Sequence, residues 1–300
     1  MANSIALANK YIGMIDEVYA KQSVTSVLEN PTLVQDFDGA NAVRILSVAT
    51  QGLGDYGRNS GYADGDITAT WELHTLTQDR GRRFVLDAMD NEETLGLTLA
   101  QSMREFMRVD VTKEIDAYRF ATMAGLAGTA VSADLTSATA KGAVDDAIAD
   151  MEENEVPLEG GFLFTTPTNL KLIENSDAYT FNVNAEASGA RDGRIVGFYK
   201  GLNVVQVPQS RFLTQIDLLN GGSGEEAGGF VKTPTNGRNL NFMIVARGAV
   251  FPVVKHNPSN IINPDDNQTS DGYIMKYRLY HDIFVPENKT AGVYRHEATS

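Results

Sequence analysis

The hydrophobic positions change period several times along the chain, and each change marks an element. Ile5, Leu7, Ala8, Tyr11, Ile12, Ile15, Val18 and Tyr19 recur at three-and-four spacing behind Ser4, which predicts an amphipathic helix capped by that serine. Pro31 and the stretch Asp36 to Gly39 then read as an extended arm, so residues 1–40 form an N-terminal arm. From Asn41 the period falls to two, with Val43 and Ile45 set against Arg44 in a strand. Five glycines (Gly52, Gly54, Gly57, Gly61, Gly65) within fourteen residues follow and suit a loop tip. Asp64-Gly65 is a hairpin dipeptide, and Ile67 to Thr77 returns as a strand with Ile67, Ala69, Trp71 and Leu73 on one face. Residues 41–78 are thus expected to form a long two-stranded arm. A lone hairpin is marginal in water and needs a surface to lie on.

Gln78 onward reads as a short basic strand, and Asn91 to about Gly125 as one helix with Leu95, Leu99, Met103, Phe106, Met107, Val111, Ile115, Tyr118 and Met123 at its apolar or aromatic positions. At about 1.5 Å per residue that helix would be roughly 50 Å long, against a mean of about 11–12 residues for helices generally. The small-residue stretch Gly125 to Asp134 reads as a boundary, and a second helix from about Ala138 to Asn154 carries an acidic face and ends before Pro157. Beyond it, strands are expected at Gly161–Thr165, Gly201–Val207, Asn241–Val245, Phe251–Lys255, Tyr273–Val285 and Gly292–His296. Pro167 to Glu174 reads as a short helix and Gly221 to Gly229 as a flexible connection. No repeat at solenoid periods is present. The fold class is α+β, with one dominant helix and an ejected arm.

Composition narrows the function classes. The chain has 300 residues, of which 42% are hydrophobic and none is Cys. That is a globular composition with no disulfide framework, thiolate metal site or Cys nucleophile. No apolar run approaches the roughly 18 residues of a membrane span. The longest candidate, Phe242 to Val254, is broken by Arg247, Gly248 and Pro252. The N-terminus lacks the basic start, apolar stretch and cleavage site of a signal peptide, so the chain is expected to stay where it is made. Net charge is -14, and Asp134 to Glu159, with eight carboxylates against Lys141, supplies half of it. Such a chain is not a generic nucleic-acid coat, which needs concentrated Lys and Arg.

Little catalytic chemistry stands out. His74, His256, His281 and His296 show no paired metal-binding spacing. The run from Asp265 imitates a calcium loop but places Ser270 at the sixth position and Lys276 at the twelfth, where glycine and glutamate are required. Gly221-Gly222-Ser223-Gly224 lacks the Lys-Ser/Thr of a phosphate loop, and Asp145 with Asp146 reads as a solvated helix face. No catalytic residue, cofactor or metal is expected. The cluster Arg80, Arg82, Arg83 is more informative, since strand period two puts Arg80 and Arg82 on one face and Arg83 on the other. Two readings stand: bidentate pairing with carboxylates of a neighbouring chain, or pairing within the chain, for example with Asp79 or Asp87.

The order of parts, and the segments GLGDYGRNSGY, DITATWELHTLTQDRGRRFVLDAMDNEET, KGLNVVQVPQSRF, NFMIVARGAVFPVVKH and DGYIMKYRLYHDIFVPENKTAGVYRH, resemble tailed-phage major capsid proteins of the Hong Kong 97 type over nearly the whole chain. The resemblance implies an N-terminal arm at 1–40 and an E-loop at 41–78. It puts a peripheral domain with the spine helix at 79–125 and 251–285, and an axial domain at 126–250 and 286–300. It also implies self-assembly as pentamers and hexamers into an icosahedral virion shell, built in the host cytoplasm, that encloses double-stranded DNA without sequence-specific binding. Portal and decoration proteins would be partners. Because Met1 leads straight into the arm helix, scaffolding is expected to be a separate protein. The chain has no Lys between Lys21 and Lys113, so the fold's crosslink from an E-loop Lys is not expected. Asp55 and Arg58 at the arm tip, Trp71 on the arm, and Arg80, Arg82 and Arg83 at its root are the candidate intersubunit contacts. An encapsulin-like bacterial compartment with an enzyme cargo is the main rival, and a soluble α+β enzyme or glycan-binding module the more distant one.

Overall fold

The computed structural model describes residues 23–29, 42–58, 61–88, 103–174, 195–256, 259–268 and 270–299. The expected N-terminal helix and the first part of the long helix lie outside them. Strands β1 (Ala42–Thr50) and β2 (Ile67–Thr75) pair antiparallel without a slip, from Ala42 opposite Thr75 to Thr50 opposite Ile67. The turn is longer than a two-residue hairpin: Asp66 N donates to Gln51 Oε1, Gly57 and Gly61 bridge, and the rings of Tyr56 and Tyr62 stand 4.8 Å apart. Strand β3 (Gln78–Asp87) is ten residues long and not short as its sequence suggested. Its length follows from a template the local sequence does not reveal, the thirteen-residue strand β13 described below.

The chain is helical from Met103 to Gly125. Met107–Val111 is a π-type turn, closed by the Thr112 hydroxyl donating to the Met107 carbonyl at 2.8 Å, and helix α1 (Thr112–Gly125) continues it. Strand β4 (Thr129–Ser132) lies inside the small-residue stretch that read as a boundary. Helices α2 (Ala140–Glu153) and α3 (Pro167–Glu174) flank strand β5 (Phe162–Thr165) in sequence, close to their expected bounds. Then come β6 (Ile195–Tyr199), β7 (Leu202–Gln206), β8 (Ile216–Leu218), β9 (Phe230–Lys232) and β10 (Leu240–Val245). The chain ends with β11 (Phe251–His256), β12 (Ser259–Ile262), β13 (Gly272–Phe284) and β14 (Val293–Glu297).

Two larger sheets organise these strands. A six-stranded mixed sheet runs β4-β14-β10-β5-β7-β6, parallel at β4–β14 and β5–β7 and antiparallel elsewhere. Its central strand β10 is buried at every position, which is why its sequence reads as a continuous apolar run. The second sheet is built on β13, with β11 and β12 pairing with opposite ends of that strand, while β3 follows it from Gln78 opposite His281 to Asp87 opposite Gly272.

The long helix serves both sheets. Met103, Met107, Val111 and Ile115 form one core with Met275, Tyr277 and Leu279 of β13. Phe120, Met123 and Ala124, at the other end of the same helix, belong to the larger core with β5, β10 and α2. One apolar stripe is therefore divided lengthwise between two cores, and the helix cannot leave either without exposing the other.

Candidate assembly surfaces

The arm presents an apolar face that stands exposed among the described residues. Cross-strand partners share a face, so Ile67, Ala69, Trp71 and Leu73 stand beside Thr50, Val48 and Arg44. Ile67, Val48 and Leu73 are exposed and Trp71 is 64% exposed. Asp55 and Arg58 are exposed at the tip. The opposite face carries His74 and Glu72, whose Nε2 and Oε2 lie 3.4 Å apart.

The arm is fixed at its root by Asp282. This carboxylate is buried and accepts the Thr77 backbone N–H (2.8 Å), the Thr77 hydroxyl (2.9 Å), the Tyr118 hydroxyl (2.7 Å) and the Ile283 N–H (2.8 Å). Leu76 packs with Val253 and Phe284, and Tyr280 donates to the Leu76 carbonyl. Next to Asp282, His281 is buried and edge-on to Tyr118, and its pKa is pushed down to about 3 by loss of solvent and then by the positive charges of Arg119 and Arg80. Burial likewise raises the Tyr118 hydroxyl.

A second anchor went unseen in the sequence. Residues 23–29 form a strap across α1, with a 3-10 turn at Thr25–Leu28. The fully buried carboxylate of Asp116 accepts the Ser23 hydroxyl (2.7 Å), the Thr25 hydroxyl (2.7 Å), the N–H groups of Val24 (3.0 Å) and Thr25 (3.1 Å), and Arg211 Nη1 (2.8 Å). Arg119 Nη1, also fully buried, donates to the Thr25 hydroxyl and pairs with Glu29 at 2.9 Å. In the sequence Asp116 and Arg119 do not stand out from the other charges of the same helix, such as Asp110, Lys113 and Glu114.

Two of the three clustered arginines, Arg80 and Arg82, are engaged within the chain. Arg80 holds Glu114 in a bidentate pair, Nε to Oε1 at 2.7 Å and Nη2 to Oε2 at 3.1 Å, and Nη2 also reaches the Gly229 carbonyl. The acid is neither Asp79 nor Asp87: it lies thirty-four residues away on α1, and Asp79 takes Arg278 at 2.8 Å. Arg82 donates to the carbonyls of Glu226 (2.7 Å) and Ala227 (3.4 Å). The segment Gly221 to Gly229, read as a flexible connection, is therefore docked on β3. Gly228 has φ +65°, a left-handed backbone conformation that favours glycine, and the Arg82 guanidinium packs against it. Arg83 is exposed on the opposite face of β3. The acidic helix is also less solvated than expected, since Asp145 accepts the Tyr199 hydroxyl at 2.6 Å and pairs with Lys200 at 2.8 Å, while Asp150 accepts the Thr129 hydroxyl.

Two recesses lie one after the other along one face of the helix. One, about 940 Å³, is a polar cleft between α1 and β8 that includes Tyr118, Asn236, Arg238 and Glu297. The other, about 330 Å³, lies between β3, the π-type turn and the docked glycine-rich loop. Among the described residues no group of His, Asp and Glu is arranged to hold a metal ion, and no helix is long and apolar enough to cross a membrane.

No protein-family model matches the chain, and no curated protein matches it by sequence. Solved structures do match. The mature capsid of bacteriophage PhiM1 superposes with a TM-score of 0.59 at 13% identity, over 88% of this chain and 83% of that one. A chain of Mycobacterium phage Ogopogo gives 0.58 at 15% identity, over 93% and 92%. The fold is that of the Hong Kong 97-type capsid proteins. A virus-like particle from Pyrococcus furiosus shares it, with a TM-score of 0.54 at 10% identity over 96% of this chain and 98% of its own. The likeness covers most of the chain, and the α+β expectation agrees with it.

Proposed function

We propose that this chain is the major capsid subunit of a tailed bacteriophage, assembling with copies of itself, as pentamers and hexamers, into an icosahedral shell around double-stranded DNA. The observation that carries the reading is the fold likeness to phage capsid structures across more than four-fifths of both chains. The uncovered apolar arm supports it, because a hairpin with such a face is stable only against another surface. Shell formation then rests on many weak contacts acting together. The role is structural and not enzymatic. The division into arm (1–40), E-loop (41–78), peripheral domain (79–125, 251–285) and axial domain (126–250, 286–300) belongs to the same reading. So do a virion location after assembly in the host cytoplasm, a scaffolding protein, a portal and a decoration protein. With -14 per chain the shell repels packaged DNA overall and acts as a container.

Electron microscopy of the purified chain, with light scattering across a wide concentration range, tests the reading. Closed shells or capsomers are expected. A monodisperse 32.6 kDa species throughout, with no assembly when scaffold is added, would reject it. Shells that protect an enzyme cargo instead of nucleic acid would favour the bacterial compartment.

A further inference from the structure

We propose that the 330 Å³ recess beside the long helix is a socket that receives Trp71 from the arm of a second copy of the chain. The inference rests on the shell reading and adds the site at which one copy grips the next. The recess has the chemistry an indole needs. Its apolar wall is aromatic: Phe84 and Phe106 meet edge to face at 4.9 Å, and Phe106 meets Tyr277 in the same way at 6.0 Å. Arg82 on the rim offers a cation to a ring face. The Asp110 carboxylate in the lining can accept an indole N–H, which is a donor only. Its volume is at the small end of the roughly 300–1,000 Å³ typical of ligand pockets, room for one ring system and not for a chain segment.

Trp71 is the single tryptophan of the chain and stands 64% exposed on the apolar face of the arm. It is not among the residues that line the recess of its own subunit. Strands β2 and β3 pair with β1 and β13 and not with each other. Nine residues of extended chain separate Trp71 from Arg80 on the rim, on the order of 20–30 Å. The charges agree with a partner of the same sequence. The arm carries Asp55, Asp64, Asp66 and Glu72 against Arg44 and Arg58. In the recess lining Arg80 is paired with Glu114 and Asp79 with Arg278, so Arg82, bonded to backbone carbonyls, is the cation that meets this acidic arm, beside Asp110. A plug and a socket at different places on one chain make a head-to-tail contact, which generates a ring when the rotation closes.

The absence of cysteine allows a direct test. Ala69 is exposed two residues from Trp71, Asn220 lines the recess, and Asn236 lines the polar cleft farther along the same face of the helix. Oligomers of the variant Ala69→Cys/Asn220→Cys, treated with a short bis-maleimide, are expected to give a ladder of covalent multimers on denaturing gels, and those of Ala69→Cys/Asn236→Cys are not. In parallel, the emission of Trp71 is expected to shift to the blue on assembly, and Trp71→Ala to weaken association about 30-fold or more while Trp71→Phe restores part of it. Closed shells in which Trp71 stays open to acrylamide quenching, or in which the ladder forms from 69/236 instead of 69/220, would overturn the socket and leave the shell reading standing. A wild-type chain that stays monomeric would overturn both.

Discussion

Replacing Asp116 by Ala should release the strap at residues 23–29, and the structure sets the size of the effect. The carboxylate has no solvent exposure and accepts five hydrogen bonds, two from strap hydroxyls, two from strap amides and one from Arg211. Its removal leaves the Arg211 guanidinium without this partner, and breaking a buried ion pair from one side costs about 3–5 kcal/mol. Each amide left buried and unpaired would add about 1–3 kcal/mol. The strap escapes that second cost by peeling into water, so the loss should settle near 3–5 kcal/mol, a factor of roughly 150 to several thousand in the equilibrium between docked and open strap. Hydrogen exchange at Val24 and Thr25 reads that equilibrium directly, and denaturant midpoints show how far the damage spreads through α1. A second variant, Ser23→Ala/Thr25→Ala, removes the hydroxyls but keeps both amides and the Arg211 pair, and should cost less. If Asp116→Ala left the two amides as protected as in the wild type, the claim that this carboxylate holds the strap would be wrong.

Four further outcomes follow from single contacts. His281 has a folded pKa near 3 against an ordinary 6.5, so only the unfolded chain binds its proton between those values; stability should fall as pH drops from 6.5 toward 3, by roughly 2–3 kcal/mol at pH 4.5, and His281→Gln should flatten that part of the pH profile. Asp282→Ala removes four hydrogen bonds at the arm root, so exchange of the Thr77 amide should quicken by at least tenfold while the six-stranded sheet keeps its protection. Gly81→Ala would set a Cβ 2.7 Å from the Tyr277 carbonyl oxygen, and thermal unfolding should report a loss of about 1–3 kcal/mol as β3 is pushed off β13. Mature particles run on denaturing non-reducing gels should give one band near 32.6 kDa, and covalent multimers would reveal a crosslink from a Lys outside the arm.

The parts of the fold that were legible in the sequence are those whose pattern is local. The alternation around Trp71, the apolar run of β10 and the helices ending near Asn154 and Glu174 need only a few neighbouring residues to be recognised. Short edge strands were missed because they have no such pattern: β4 is Thr-Ala-Val-Ser, extended because it lies beside β14, and β8, β9 and β12 are three or four residues each. The length of β3 was missed for the same reason, since its partner lies almost two hundred residues away. Of the candidate contacts, spacing correctly separated Arg80 and Arg82 from Arg83 by face, but it could not supply Glu114, Glu226 or Asp116, whose roles exist only once distant segments meet.

These long-range contacts converge on one helix. Asp116 and Arg119 hold the strap, Glu114 holds the strand that leads out of the arm, and Tyr118 reaches the carboxylate at the arm root, all within six consecutive residues. Glu114 and Tyr118 are four apart and so share one face, directed at β3 and β13, while Asp116 and Arg119 are three apart and serve the strap. A rotation of this helix about its axis would strain both sets at once, because buried charge pairs have no solvent to fall back on. The arm, which the described residues hold at its root, therefore takes its direction from the same turn of helix that fixes the strap. In the proposed shell a load applied to the arm by a neighbouring copy would be carried first by Asp282 and Tyr118 and then by the shared core, and the glycine-rich tip, which contributes no buried side chains among the described residues, would adapt to the neighbour without disturbing that chain of contacts.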